Sequence, residues 1–430
     1  MTLSRRNFCK IAAGSAGLFL PGCQNLKLRK SSPHVVVVGG GFGGATAAKY
    51  IRKLDARIKV TLIEPKTDYI TCPASNWVLG GIRSLPALKF SYRSLSDNYD
   101  INVIGDLVTA IDPVKHTVTL SDGNHIHYDR LVLSPGIDFR WQSIEDYDQQ
   151  ATKSIAHAWT AGTQTELLNK QLHTMPDGGT VIICAPPNPY RCPPGPYERA
   201  SMIAHYLTRY KPRSKILILD PKSKFSKQSL FIKGWQMHYR YGTENSMIEW
   251  LSIPDNPVTQ VDIKTKTVET DFGDRYQADV LNIIPPQKAG AIAHRAGVTD
   301  ASGWCPVDHR SGESTIHTDI HIIGDAAIYK PLPKSAFAAN SEAKICAFAV
   351  VSLLNYQELV DPTWINTCYS LVAPNHGISV AMVYKLNKAG LVIKVKGAGG
   401  VTPDSDKNTV YKEAQMAHHW YENITDDTFL

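Results

Sequence analysis

Two strand–helix–strand stretches in the 430-residue chain predict an α/β fold with two dinucleotide-binding, Rossmann-like domains and a C-terminal α+β domain after them. Three observations carry this reading. The β-branched run His34-Val35-Val36-Val37-Val38 leads straight into Gly39-Gly40-Gly41-Phe42-Gly43-Gly44. A second strand closes at Glu64, 20 residues after Gly44. A further strand–helix–strand unit then opens at Gly178 and closes at Asp220.

The N-terminal 30 residues stand apart. They hold Arg5, Arg6, Lys10, Lys27, Arg29 and Lys30 and no acid; without these six, 40 basic side chains face 39 acidic ones. The basic balance of the chain therefore lies in this leader, and its body offers no charge argument for nucleic acid. Ser4-Arg5-Arg6-Asn7-Phe8-Cys9-Lys10 followed by the apolar Ile11–Leu20 run has the pattern of a twin-arginine export signal. Export by that route predicts a periplasmic protein that folds around its cofactor before crossing. Leu20-Pro21-Gly22-Cys23 also resembles a lipoprotein cleavage box, with an unusual proline. After the leader, no run reads as long and apolar enough for a transmembrane helix.

In the first unit the strand His34–Val38 suits a buried parallel sheet. Gly39, Gly41 and Gly44 fit G-x-G-x-x-G, between that strand and a helix expected over Ala45–Leu54. The glycines permit a tight turn and close approach to a pyrophosphate, and the helix N-terminus offers free N–H groups to it. Glu64, after the strand Lys59–Ile63, is placed to accept hydrogen bonds from ribose hydroxyls.

Two later segments point to FAD. Tyr128–Gly136 resembles the strand-plus-glycine return of flavoproteins of the FAD/NAD(P)-linked reductase type, with Gly136 at its end. His321-Ile322-Ile323-Gly324-Asp325-Ala326 resembles their late strand, which implies that Asp325 contacts the flavin's ribityl chain.

The second unit has the strand from Gly178 to Cys184, a helical stretch Tyr197–Tyr210 and the strand Lys215–Asp220, but no glycine loop. Ala185–Pro196 is rich in proline, which lacks an N–H and stiffens the chain. The expectation is a lost nicotinamide site, with Cys192 standing in the loop.

Six of the eight cysteines lie in the body: Cys72, Cys184, Cys192, Cys305, Cys346 and Cys368. None forms a C-x-x-C pair, so neither zinc nor an iron–sulfur cluster is expected, and no metal site is predicted. From the residues alone, Cys192 and Cys368 are a structural disulfide or two buried thiols, and Cys72 a core thiol.

At these cysteines the chain resembles the flavoprotein subunit of flavocytochrome c sulfide dehydrogenase. The likeness is carried by Val35–Tyr50, Thr61–Gly81, Tyr190–Ala200 (YRCPPGPYERA) and Asn366–Val380 (NTCYSLVAPNHGISV), and by Pro333–Ser335, Asn340-Ser341 and Trp420–Phe429. It implies that Cys192 and Cys368 form a redox disulfide beside the flavin, which hydrosulfide opens to a persulfide and a thiolate that passes two electrons on. It implies a thioether from Cys72 to FAD, although the chain departs from the family pattern just after it, at Pro73-Ala74. Glu198 then lies near the disulfide, as a proton acceptor or simply as a helix-start acid. Lys334, close after Asp325, is either a cation at the flavin's pyrimidine edge or a solvated lysine. Cys184, Cys305 and Cys346 receive no role, although a Cys184–Cys192 pair would compete with the redox pair, and the scattered histidines are read as structural or surface.

The expected layout is a leader over 1–30, an FAD domain over 31–145 and 265–350, a second dinucleotide-type domain over 146–264, and a C-terminal domain over 351–430. Tyr411–Leu430 is polar and acidic and shows no basic membrane-seeking stripe, which favours a soluble electron acceptor. The resemblance implies a cytochrome c subunit as partner in a heterodimer, and the chain itself has no C-x-x-C-H haem motif. The activity expected is oxidation of a small inorganic sulfur substrate, hydrogen sulfide, with transfer to cytochrome c. The alternatives are a sulfide:quinone oxidoreductase-like enzyme, an accessory flavoprotein of thiosulfate oxidation, and a non-catalytic FAD-binding chain.

Overall fold

The computed structural model describes residues 32–403 and 407–430. The export signal and Cys23 fall outside the described residues.

Val35–Val38 are almost wholly buried, as a strand covered on both faces requires. They lie at the centre of a five-stranded parallel sheet ordered Ile320–Ile322, Arg130–Leu133, His34–Val38, Lys59–Ile63, Asn102–Ile104. The strand bounds expected for His34–Val38 and Lys59–Ile63 hold. The helix after the glycines starts three residues earlier than expected and covers Phe42–Leu54, because Gly43 and Gly44 continue into its first turn.

The second unit repeats the plan with four parallel strands, ordered Ile248–Ser252, Lys215–Asp220, Thr180–Cys184, Val280–Ile283. Each unit also carries a three-stranded antiparallel meander, Val108–His127 in the first and Val258–Gln277 in the second. Ile137–Phe139 pairs with Gln287–Ala289 where the chain passes between the units. The return to the FAD domain placed at 265 therefore moves to about 287. Residue 265 lies inside the second meander, and Val280–Ile283 completes the second parallel sheet.

The C-terminal part is a three-stranded antiparallel sheet, Thr363–Ala373, His376–Leu386 and Val392–Val401, followed by the helix Lys407–Phe429. Its expected start at 351 falls inside the helix Ala336–Leu354. That helix also corrects the membrane expectation. It has 19 residues and a mean hydropathy of 1.4, so by length and composition it can cross a bilayer. Its apolar side chains, Ala343, Cys346, Ala347 and Val350 among them, are instead packed with Phe42, Ala47 and Ile51 of the first helix. The polar tail is likewise an amphipathic helix whose apolar stripe, Ala414, Ala417, Tyr421, Ile424 and Phe429, is buried within the chain. Phe429 stacks on Tyr69 and Phe90, and Tyr421 shares a 2.7 Å hydrogen bond with Thr71. The last helix is thereby pinned over the mouth of the first dinucleotide unit.

Candidate active site

One cavity of about 520 Å³ collects the residues singled out from the sequence. Gly39, Gly41, Glu64, Cys72, Gly136, Cys192, Glu198, Asp325 and Cys368 all line it.

Its nucleotide end is built by the glycine turn. Gly39 takes φ +100°, and a Cβ there would lie 2.3 Å from the Ser134 carbonyl oxygen. A Cβ on Gly44 would lie 1.8 Å from the carbonyl oxygen of Gly39. Gly44 does not line the cavity; its role is to let the helix close onto the turn. Gly41 caps the helix without a side-chain partner, so the first N–H groups remain directed at the cavity. Glu64 accepts from the Gly40 N–H at 2.8 Å and from the Lys66 N–H at 3.2 Å, which fixes its carboxylate at the rim.

At the far end, Gly324–Ala326 forms a tight turn in which the Asp325 Oδ1 is buried without a hydrogen-bond partner. Burial pushes the Asp325 carboxyl above its ordinary range, against the pull of Arg191 and Lys334. Beneath the turn, Glu342 accepts from the Gly324 N–H at 2.7 Å, and burial raises it to about 8. A cradle that no Cβ fits, a helix start with free donors and an orphaned buried acceptor together fit the pyrophosphate and ribityl parts of FAD.

Three thiols reach the same cavity from separate parts of the chain. Cys72 lies in the loop before the helix Ser75–Leu79, with its sulfur 3.6 Å from the Trp159 carbonyl oxygen. Cys192 sits in the proline-rich loop at φ +57°, a conformation that needs outside support in a non-glycine residue. Its N–H donates to the Lys334 carbonyl at 2.8 Å, and its own carbonyl receives the Gly195 N–H at 2.8 Å. Cys368 is in the middle of the strand Thr363–Ala373. All three are free thiols in this structure. Burial raises both Cys192 and Cys368 above the ordinary thiol range, and the charge of a Cys368 thiolate raises Cys192 further.

Glu198 sits in the first turn of the helix Gly195–Tyr210 and does more than favour the dipole. Its Oε1 accepts from Trp77 Nε1 at 3.1 Å and from the Leu371 N–H at 2.9 Å; its Oε2 accepts from Asn76 Nδ2 at 3.1 Å. Three elements thus meet on one carboxylate, with acceptor capacity left on Oε2. The next residue, Arg199, is also buried and bonds Asn76 Oδ1, Asn282 Oδ1 and the His157 carbonyl at 2.9–3.1 Å. Sequence reading missed Arg191, Arg199, Trp159 and Lys227. The two arginines flank cysteine and glutamate already singled out, which was their only signal. Nothing local marks the other two.

Lys334 does not line the cavity. Its ammonium turns back to donate to the Asp325 and Ala327 carbonyls at 2.7 and 2.9 Å, and lies 3.9 Å from the centre of the Trp304 ring. Both readings offered from the sequence are corrected: Lys334 is mostly enclosed and braces the Gly324–Ala326 turn. Cys184, Cys305 and Cys346 are buried apolar packing, and Cys184 sits in a core cluster with Tyr147 and Leu281. Among the described residues no group of three or more His, Cys, Asp or Glu side chains could hold a metal.

The second unit has no matching cradle. Strand pairing sets Leu219 beside Cys184 as Ile63 sits beside Val38, so Asp220 is the counterpart of Glu64. Asp220 is fully buried, pairs with Lys222 at 2.6 Å, and accepts from Tyr197 at 2.5 Å and Trp250 at 2.9 Å. The Tyr197 and Phe225 rings stack at 3.7 Å in the space beside it. The acid that would meet a ribose is committed to its neighbours.

Fold and cavity define a flavin-dependent oxidoreductase with the two-domain plan of the pyridine nucleotide-disulphide oxidoreductases, whose family pattern matches residues 33–176. Two further patterns are more specific. That of the sulfide dehydrogenase (flavocytochrome c) flavoprotein chain, central, matches residues 165–285, and that of the flavocytochrome c sulphide dehydrogenase flavin-binding region matches 360–429. The sulfide dehydrogenase flavoprotein chain of Chlorobaculum thiosulfatiphilum is 73% identical over 44 residues, 10% of this chain and 92% of that relative's sequence. The chain belongs to the flavocytochrome c sulfide dehydrogenase flavoprotein family. It is also similar to the mitochondrial sulfide:quinone oxidoreductase of Dictyostelium discoideum, 24% identical over 76% of this chain and 72% of that protein. The solved sulfide:quinone oxidoreductase of Aquifex aeolicus shares the fold, with a TM-score of 0.71 and 20% identity over 92% of each chain.

Proposed function

We propose that this chain oxidises hydrogen sulfide at a Cys192–Cys368 disulfide beside FAD and passes the electrons to a cytochrome c subunit. The observation that carries this is the convergence of Cys72, Cys192 and Cys368 on the cavity whose other end is the glycine cradle. FAD, when bound, supplies a two-electron acceptor. The rest is done by the chain: the two sulfurs give sulfide an oxidant, and Glu198 Oε2 takes a proton from the attacking sulfur. The commitment of Asp220 to Lys222, Tyr197 and Trp250 supports sulfide rather than a nicotinamide as the electron source. The Arg5-Arg6 leader supports a periplasmic site of action.

Anaerobic titration of the purified flavoprotein with sulfide tests this. Flavin absorbance is expected to bleach in the natural protein and to stay unchanged in Cys368→Ser, which keeps its flavin. No bleaching in a flavin-loaded protein with an intact disulfide ends the sulfide reading.

The likeness to sulfide:quinone oxidoreductases supports a second acceptor, a quinone. Reoxidation of the sulfide-reduced protein by cytochrome c and by a soluble quinone, compared in one preparation, separates the two.

The place of Cys72 on the cavity wall supports a covalent bond to FAD. After acid precipitation, flavin is expected to stay with the natural chain and to appear in the supernatant with Cys72→Ser. Release from both would mean that FAD is held by the cradle alone.

A further inference from the structure

Lys227 is a cation buried next to the cysteine pair. It precedes the helix Gln228–Tyr239, at φ +60°, and is 7% exposed. Its ammonium donates to Ser370 Oγ at 2.9 Å, to the Cys368 carbonyl at 3.3 Å and to the Ile378 carbonyl at 3.4 Å. Ser370 and Cys368 are two apart on one strand, so their side chains project from the same face. The ammonium bound at Ser370 Oγ is therefore fixed on the side of the sheet to which the Cys368 sulfur projects.

Burial lowers the pKa of Lys227, and the anions around it pull the other way and favour its charged form. The acids that face it are Glu198 from the helix Gly195–Tyr210 and Glu413 from the C-terminal helix, together with the two thiols. Glu198 already serves Trp77, Asn76 and Leu371. Of the charges around Lys227, that of a Cys368 thiolate acts on it most strongly. The reverse also holds: among the charges acting on the Cys368 thiol, Lys227 is the largest and favours ionisation, with Glu198 opposing. At Cys192 the leading cation is instead Arg191.

We propose that Lys227 is a positioning residue that holds Cys368 as the leaving thiolate, so that hydrosulfide attacks the sulfur of Cys192. This rests on the sulfide reading above. The sulfur of HS⁻ bonds to Cys192, the Cys192–Cys368 bond breaks, and its electron pair stays on Cys368. The proton of the attacking sulfur goes to Glu198. Sulfide is oxidised to the persulfide level and the disulfide is the oxidant.

The ionisation of Cys368 is measurable without sulfide. The holoprotein is reduced, freed of reductant and treated anaerobically with iodoacetamide across a pH series, with alkylation of each cysteine followed by mass spectrometry. Lys227→Gln, which keeps a donor for Ser370 but no charge, is expected to shift the Cys368 profile up by at least about one unit, a loss of about tenfold in rate near neutrality. Cys192 should change much less, and Lys227→Arg should restore Cys368. An unmoved Cys368 profile in a flavin-loaded Lys227→Gln protein overturns the proposal.

Should that variant fail to fold, the natural protein still decides. One equivalent of sulfide followed by an alkylating trap should leave the persulfide on Cys192, and a persulfide on Cys368 overturns the proposal. Persulfide on neither, with the disulfide intact, defeats the sulfide reading itself and this proposal with it, whereas persulfide on Cys368 defeats this proposal alone.

Discussion

Gly44→Ala is expected to yield a protein that purifies without flavin. The new Cβ would sit 1.8 Å from the Gly39 carbonyl oxygen, 3.0 Å from its carbon and 3.3 Å from a methyl of Val37. The first two are backbone atoms of the cradle, so no flexible side chain can swing aside. Gly39 has little room to turn, because at φ +100° even a Cβ on it would lie 2.3 Å from the Ser134 carbonyl oxygen. Relief requires the helix Phe42–Leu54 to lift off the sheet, which carries away the N–H groups aimed at the pyrophosphate. Overpacking of this kind costs about 1–3 kcal/mol in an ordinary core, and the lost cradle adds to it. The ratio of flavin to protein absorbance should fall by more than about tenfold, since 1.4 kcal/mol already makes a factor of ten in affinity. Gly123→Ala is the control. Gly123 also has positive φ, +87°, but it lies in a turn of the first meander, does not line the cavity, and has nothing within 4 Å of its would-be Cβ. The expected cost there is about 1–2 kcal/mol of backbone strain, with flavin retained. A Gly44→Ala protein with its full complement of flavin would show that the helix start is not what holds the cofactor.

Gly39 and Gly44 also show what the sequence makes readable. Strands with β-branched runs, such as His34–Val38 and Lys215–Asp220, declare themselves because burial on both faces leaves little room for polar residues. The cradle is readable because its steric demand falls on consecutive residues. The cysteine site is different. Cys72, Cys192 and Cys368 are far apart in the chain, and nothing in their spacing brings them together; only the resemblance did. Lys227 was invisible for the same reason, since its partners Ser370 and Ile378 lie on a hairpin some 140 residues later. Lys334 misled because nearness to Asp325 in sequence says nothing about the direction of a long side chain, which folds back onto the carbonyls of the turn. The boundary at 265 failed because Val280–Ile283 is only four residues long and includes Asn282, whose side chain bonds the Ala156 and His157 carbonyls. A polar residue inside a short strand hides its place in a parallel sheet. The tail read as polar because its apolar residues come at helical spacing with charged ones between, a pattern that shows only when the period is counted.

Glu198 separates a proton acceptor from a structural strut, and its two substitutions are expected to part company. Glu198→Ala removes an acceptor that serves the Trp77 indole, the Asn76 amide and the Leu371 N–H. Three donors would be left at a residue only 8% exposed. An unsatisfied buried donor costs about 1–3 kcal/mol, so a loss of about 3–5 kcal/mol is expected, visible as a thermal transition lowered by several degrees or more. Glu198→Gln keeps an oxygen for Trp77 and Leu371 and sets one amide against Asn76, a single mismatch of about 1–3 kcal/mol. This variant should fold, bind FAD and keep a cavity of nearly the same shape. What it loses is the means to accept a proton at Oε2. Sulfide-dependent bleaching of its flavin is expected to slow by about 10²-fold or more, the range that a positioned acid–base group contributes. Raising the pH should recover part of this rate, because hydroxide and buffer then take the proton that the amide cannot. Reduction of the disulfide by a phosphine, which brings no proton to be removed, should be unchanged in the same variant. If Glu198→Gln bleaches as fast as the natural protein, the carboxylate serves only to tie Trp77, Asn76 and Leu371 together, and the proton must leave by another group.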